Sequence, residues 1–102
     1  ATNPIRFTSN QPSPAKGDWG YVHFTPTSVP ATFDNIGVYA AGSIIQNSVI
    51  EYAGGLVETN NGAVRVEGAA PYLEGNTIRL NKTDAIRWWG DGPAPRISLN
   101  TI

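Results

Sequence analysis

Basic and aromatic side chains recur in three short segments of the chain, and their spacing decides what chemistry they could do. His23 stands between two apolar residues, and Arg65 and Arg87 have the same setting in the second and third segments. Alternate side chains of a strand point to opposite faces, so these three would form one row on the outside of a sheet. With Tyr21 and Trp89 beside it, such a row could contact a sugar ring.

The aromatic rings of this row support two interpretations. One is a flat platform for carbohydrate, and the other is packing against a loop or a neighbouring molecule. The predicted carbohydrate contact comprises Trp19, Tyr21, His23, Arg65, Arg87 and Trp89.

The carboxylates of the chain give less indication of chemistry than the basic and aromatic residues do. Asp18, Asp34, Asp84 and Asp91 each stand beside Gly, Asn or Thr, which is typical of turn formers. Glycoside hydrolysis needs two carboxylates that face one sugar, and no such pair stands out. The chain has no Cys and one His, and a hard cation needs six or more oxygen ligands. We therefore predict no catalytic residue, no metal and no cofactor.

The elements that would position these side chains come from an internal repeat. Residues 62–78 and 84–102 carry the same pattern of short apolar runs separated by Gly, Pro and Asn. A period of roughly 20 to 25 residues of this kind predicts a solenoid of short strands. The predicted strands cover residues 63–67, 72–74 and 77–80 in the first copy, then 85–89, 96–98 and 101 onward in the second.

Alternation within these strands predicts the core. Val22 and Phe24 are expected to join the columns of Val64 and Val66. The residues predicted to face inward and to be mostly buried are Val64, Val66, Leu73, Ile78, Ile86, Trp88, Ile97 and Ile102.

Asn residues mark a corner between the second and third strands. Asn76 and Asn100 would stack there, because Asn tolerates left-handed backbone and its amide can bond the Asn of the next coil. Asn47 is assigned to the same corner. A different alignment, slipped by one residue, pairs Ile50 with Ile78.

Earlier segments fit the repeat less regularly. Asn3-Pro4-Ile5-Arg6 is aligned with residues 76–79, and the slipped alignment gives a charge ladder of Arg6, Glu51 and Arg79. Residues 25–42 form an excursion, for which an irregular coil or lateral hairpin is favoured over a regular coil, with a strand over residues 36–39.

These runs resemble a known family. Residues 62–66, 70–81 and 94–102 are similar to right-handed parallel β-helix proteins of the pectate-lyase-like superfamily. Residues 17–24 and 47–55 resemble opening coils of its bacterial secreted members. The resemblance implies an all-β fold, a short right-handed parallel β-helix (β-solenoid) of about three to four coils. The superfamily includes lyases, hydrolases, adhesins and structural coils. In its lyases this sheet carries acidic calcium ligands and an Arg base, and this chain has no clustered aspartates there.

Length and charge narrow the functional classes. The whole chain, residues 1–102, is predicted to be one domain, with an N-terminal strand at 1–8, a loop at 9–18 and coils at 19–102. A net charge of −1 without basic clusters argues against nucleic acid, and no apolar run is long enough for membrane insertion. The chain starts at Ala1 and lacks Met, so we expect either a secreted protein after signal-peptide removal or a piece of a longer one.

The ends of the repeat lead to the functional prediction. Both resemble third strands, and an uncovered strand edge is a template for pairing. The predicted assembly interface comprises Ile5, Arg6, Phe7, Asn100, Thr101 and Ile102. We therefore expect a non-catalytic, extracellular or cell-surface structural β-solenoid, either a homo-oligomer or filament joined through its ends or a slice of a longer surface protein. The alternative is a module that binds or degrades polysaccharide.

Overall fold

The structure is a computed structural model that describes residues 3–102, so the first two residues of the predicted N-terminal strand lie outside it. The described chain is all-β, without a helix that is long and apolar enough to cross a membrane. Its strands are β1 (Ile5–Phe7), β2 (Val22–Phe24), β3 (Thr32–Phe33), β4 (Tyr39–Ala41), β5 (Ile44–Gln46), β6 (Ser48–Glu51), β7 (Val64–Glu67), β8 (Tyr72–Glu74), β9 (Thr77–Arg79), β10 (Ile86–Trp89) and β11 (Arg96–Ser98).

Nine of these strands form three parallel sheets of three strands each. Sheet 1 has the order β2-β7-β10, sheet 2 has β5-β8-β11, and sheet 3 has β1-β6-β9 with a further bridge from Thr77 to Thr101. The chain visits the sheets in the same order three times. We call each pass a layer: layer 1 is β2, β5 and β6, layer 2 is β7, β8 and β9, and layer 3 is β10, β11 and residues 99–102.

The strand registers confirm the predicted columns. Val22, Val64 and Ile86 are neighbours across sheet 1, and Phe24, Val66 and Trp88 form the next column. Ile45, Leu73 and Ile97 align in sheet 2. In layer 2 these side chains are buried, because it has a layer on either side: Val64, Val66, Leu73 and Ile78 are at most 2% exposed.

The predicted burial is wrong for the last layer. Trp88, Ile97 and Ile102 keep 51%, 45% and 74% of their surface exposed. They occupy the predicted columns, but no strand among the described residues lies beyond layer 3. Alternation therefore predicted the direction in which these side chains point, but not whether another layer lies over them.

Asn side chains tie successive layers together at the corner between sheets 2 and 3. The Asn76 Oδ1 accepts a hydrogen bond from the Ser48 N–H at 3.0 Å, and its Nδ2 donates to the Ile45 carbonyl at 2.9 Å. Asn100 repeats both bonds one layer later, to the Asn76 N–H and the Leu73 carbonyl. The predicted Asn76–Asn100 stack is confirmed, with an additional amide–amide bond of 3.0 Å.

The register in layer 1 follows the slipped alignment. Ile50 pairs with Ile78 and Glu51 with Arg79, so Ser48 stands in the Asn76 column. The assignment of Asn47 to that column is wrong. Asn47 instead adopts a left-handed backbone with φ of 51° at the turn between β5 and β6.

The N-terminal strand is shifted by two residues from its predicted alignment. Ile5 pairs with Ser48 and Phe7 with Ile50, so Phe7 rather than Ile5 enters the column of Ile78. Phe7 packs against the core, whereas Ile5 is 65% exposed. The larger apolar ring takes the inward position.

The excursion is a lateral hairpin, as favoured from the sequence. Strands β3 and β4 pair antiparallel, and the predicted strand over residues 36–39 is wrong apart from Tyr39. The Asp34 Oδ1 accepts hydrogen bonds from the Ile36 and Val38 N–H groups and holds that segment in a turn. Phe33 and Tyr39 pack on Tyr72, on the outside of sheet 2.

Candidate functional site

The row predicted on the outer face of sheet 1 exists. His23 pairs with Arg65, and Arg65 pairs with Arg87, across three neighbouring strands. Glu67 and Trp89 pair one position further along. These side chains were brought together by the strand register that the repeat predicted.

Arg65 lies on the outer face with the rest of the row, but it is not solvated. The residue is only 6% exposed, because the loop of residues 53–61 folds over it. Its Nε donates to the Asn60 carbonyl at 3.0 Å and its Nη2 to the Thr59 carbonyl at 3.1 Å. The Glu58 carboxylate lies 3.6 Å from Nη1. Arg65 therefore fastens this loop to the sheet.

Aromatic rings enclose the Arg65 guanidinium. Its Cζ lies 4.4 Å from the Tyr21 ring centroid and 4.9 Å from that of Trp89, within the range of cation–π attraction. His23 stacks on Trp89, with ring centroids 5.9 Å apart and planes at 25°, and meets Tyr21 edge-on. The rings thus contact one another and Arg65, an arrangement closer to the packing interpretation than to an open platform.

Polar groups complete the same cluster. The His23 Nε2 lies 3.1 Å from the Glu67 Oε1, and the Tyr21 hydroxyl donates to Glu58 at 3.1 Å. Arg87, which is exposed, donates from Nη2 to the Asn60 Oδ1 at 2.8 Å. Arg87 and the half-exposed Glu67 and Glu58 carboxylates are the charges that this face offers to solvent.

Trp19 does not join the row. Its Nε1 donates to the Glu51 carbonyl at 2.7 Å, and its ring packs against the core. Trp19 thus lies apart from the other residues of the predicted carbohydrate contact. Trp19 belongs to the Gly-Asp-Trp-Gly segment that precedes β2, outside the strands that carry the row.

A second charged cluster lies on sheet 3 and was predicted as a ladder. Glu51 accepts a hydrogen bond from the Arg79 Nε at 2.9 Å, and the Arg6 Nη1 lies 3.5 Å away on the other side. The Thr8 hydroxyl donates to it at 2.7 Å. Burial alone would raise the pKa of Glu51, but the Thr8 and Arg79 hydrogen bonds and the charges of Arg79 and Arg6 outweigh it and lower the pKa below its usual value.

Two of the aspartates act as turn formers, as the sequence indicated. Asp34 holds the hairpin turn, and the Asp18 Oδ2 accepts from the Ser9 hydroxyl and the Ala15 N–H. The bond from Ser9, followed by that from Ala15, lowers the pKa of Asp18. Within residues 3–102 no three His, Asp or Glu side chains are grouped so that they could hold a metal ion.

Asn81-Lys82-Thr83 matches the acceptor pattern for N-glycosylation, but the structure uses Asn81 for packing. The Asn81 Oδ1 accepts from the Ala53 N–H at 2.8 Å, and its Nδ2 donates to the Ile50 carbonyl at 3.3 Å. These are the two bonds that Asn76 and Asn100 make, repeated at the corner between sheets 3 and 1. The Asn81 nitrogen that would carry a glycan is thus engaged in the fold.

The predicted assembly residues lie at the two ends of sheet 3. Thr101 bridges Thr77 with two backbone hydrogen bonds, and Ile102 borders an open groove of about 300 Å³ shared with Ile78, Leu80 and Ala85. At the other end β1 pairs with β6 of its own chain. The interface predicted from the sequence therefore consists of two separate surfaces on opposite ends of the stack.

The chain was compared with protein-family models, with curated proteins and with solved structures, and none of the three comparisons finds a match.

Proposed function

We propose that this chain is a non-catalytic structural and interaction module, a short right-handed parallel β-helix that stacks end to end with further copies. The observation that carries the proposal is the exposed end of layer 3. Trp88, Ile97 and Ile102 stand in the columns of the buried Val66, Leu73 and Ile78, yet are about half exposed or more. Exposed apolar groups in strand register are a surface for further pairing.

The finer fold assignment rests on the order of the strands. The chain passes through sheets 1, 2 and 3 in the same order each time, and each pass adds one parallel strand to each sheet. Connections between parallel strands are almost always right-handed. A right-handed β-helix is the arrangement that accommodates both features.

The proposed partner is a second copy, because both ends of the stack carry the same columns. Val22 and Phe24 at the layer 1 end stand in register with Ile86 and Trp88 at the layer 3 end. All the strands of the stack run parallel, so one copy's layer 1 can continue another copy's layer 3. Such a head-to-tail contact propagates instead of closing.

Sedimentation velocity over a range of concentrations tests the proposal. The unaltered chain should form species larger than one copy, and Trp88→Lys should remain a single chain because it places a charge in the junction. Val57→Lys is the matched control, since Val57 is fully exposed in the loop of residues 53–61 and belongs to none of the core columns. Assembly that survives in Trp88→Lys, or a chain that stays single at every concentration, would contradict the proposal.

An extracellular or cell-surface location extends the proposal. Its support is the resemblance of residues 17–24 and 47–55 to secreted β-helix proteins. Polysaccharide binding at sheet 1 has weaker support, because Tyr21, His23 and Trp89 already contact one another or Arg65. Fluorescence quenching in the presence of soluble polysaccharides tests this second function. Protection of Trp89 from the quencher would favour polysaccharide binding, and Trp89→Leu is the control.

A further inference from the structure

The number of strands in each sheet sets a condition on end-to-end stacking. Among residues 3–102, sheets 1 and 2 have three strand positions each, whereas sheet 3 has four: β1, β6, β9 and residues 99–102. The additional position is β1, which lies beyond layer 1. The following inference rests on the proposed stacking and concerns the strands at its junction.

Continuing sheets 1 and 2 fixes where the second copy must lie. Its β2 would sit one strand spacing, about 4.8 Å, beyond β10, and its β5 the same distance beyond β11. Its β6 belongs to the same layer and would therefore lie directly beyond residues 99–102. That position beside β6 is the one its own β1 already occupies.

Two segments therefore compete for one position, and the columns favour residues 99–102. The corner column contains Ser48, Asn76 and Asn100, and the inward column contains Ile50, Ile78 and Ile102. In β1 the equivalent positions hold Ile5 and Phe7. Ile5 places a branched apolar side chain at the corner position and is 65% exposed there.

The hydrogen bonds of residues 99–102 also favour these residues, rather than β1, at the junction. Thr101 donates a backbone hydrogen bond to the Asn76 carbonyl at 2.8 Å and accepts one from the Ile78 N–H at 2.9 Å. Asn100 adds three side-chain bonds to the preceding layer. The described attachments of β1 are its pairing with β6, the contact of Phe7 with the core, and the bonds of Thr8 and Arg6 to Glu51.

We propose that β1 is a removable edge strand, which covers β6 within one copy and is replaced at the junction by residues 99–102 of another copy. Pairing within the chain thus inhibits assembly, and release of β1 permits it. Asn100 and Ile102 of the incoming copy then stand over Ser48 and Ile50, and the columns run on without a break.

A reversible cross-link tests this directly, since the chain contains no native Cys. Arg6 and Val49 are register partners, and neighbouring Cα atoms at this spacing suit a disulfide. The double variant R6C plus V49C, oxidised at low concentration, should remain a single chain. Reduction should restore assembly at a concentration no higher than that needed by the unaltered chain, because R6C also removes the contact of Arg6 with Glu51.

A second variant loosens β1 instead of fixing it. Phe7→Ala removes the ring that contacts the core and should lower the concentration needed for assembly by about tenfold, a change equivalent to about 1.4 kcal/mol. Assembly of the oxidised double variant as readily as the reduced one would overturn the inference, as would weaker assembly of Phe7→Ala. If no form assembles, including the unaltered chain, the proposed function itself fails.

Discussion

Arg65 illustrates at the scale of one residue how an outward position differs from an exposed one. Its guanidinium donates to the Asn60 and Thr59 carbonyls under the loop of residues 53–61, whereas Arg87 in the same row is exposed. The sequence predicted the row from alternation, but alternation carries no information about what lies over a sheet. The length of this loop, which exceeds that of the later one, was the available signal.

Replacing Arg65 should therefore destabilise the fold. Arg65→Ala leaves two carbonyls without their donor and removes the cation between Tyr21 and Trp89, which should lower the free energy of unfolding by about 1 to 3 kcal/mol. Arg87→Ala, the matched control, should change it by about 0.5 kcal/mol or less. Urea unfolding monitored by tryptophan fluorescence measures both. Equal effects of the two substitutions would contradict the role given to the loop.

The buried Glu51 carboxylate should make the free energy of unfolding depend on pH. Its folded pKa lies below the unfolded value of about 4.5, so its contribution is complete above that pH and is lost as the pH falls through the folded pKa. The free energy of unfolding should decline below about pH 4.5, and the decline should be smaller in Glu51→Gln. Urea titrations between pH 7 and pH 3 compare the two proteins. An identical decline in both would show that Glu51 does not contribute.

Substitution of Asn76 measures how much the hydrogen bonds between layers contribute to stability. Asn76→Asp keeps the shape but replaces the donor that faces the Ile45 carbonyl by an acceptor, in a residue that is 1% exposed. The loss should be several kcal/mol, since a buried charge without a partner is costly. Asn35→Asp in the exposed hairpin turn should change stability little. Thermal unfolding distinguishes them, and similar melting temperatures would contradict the role of the corner.

At the scale of elements, the strands were more predictable than their alignment. Strands β8 and β11 lie where the apolar alternation placed them, because each run is bounded by Gly, Pro or Asn. The sequence alignment that placed Asn47 in the Asn76 column was off by one residue, and the alignment of Ile5 with Ile78 was off by two. A parallel register is set by which side chains fill the core, and Phe7 and Ile5 are equally apolar in the sequence alone.

The lateral hairpin is an element that the stack should tolerate losing. Gly42 lies against the Pro30 carbonyl and Ala31, so the chain ends that flank residues 32–41 already meet. Joining Ala31 to Gly42 directly should keep the three parallel sheets, since neither β3 nor β4 pairs with them.

The shortened chain should melt at a lower temperature, because Phe33 and Tyr39 no longer cover Tyr72. Circular dichroism should still report a cooperative β-sheet transition. Tyr72→Ala in the full chain is the control for the lost aromatic contacts. A disordered product after deletion would show that the hairpin is required for layer 1.

At the scale of the whole molecule, burial depends on position in the stack. Ile78 is 2% exposed and Ile102 is 74% exposed, although both occupy one column and were predicted to be equally buried. The repeat supplies the column, and only the number of layers decides which members are covered. The same uncovered column members motivate the proposed stacking.

Electron cryomicroscopy of assembled material tests that proposal most directly. If residues 99–102 replace β1 at each junction, every copy adds three strand spacings, which gives a rise of about 14 Å per copy along a continuous stack. If β1 stayed in place and stacked on residues 99–102, the rise would be about 19 Å. Isolated particles of one chain at every concentration would contradict end-to-end stacking altogether.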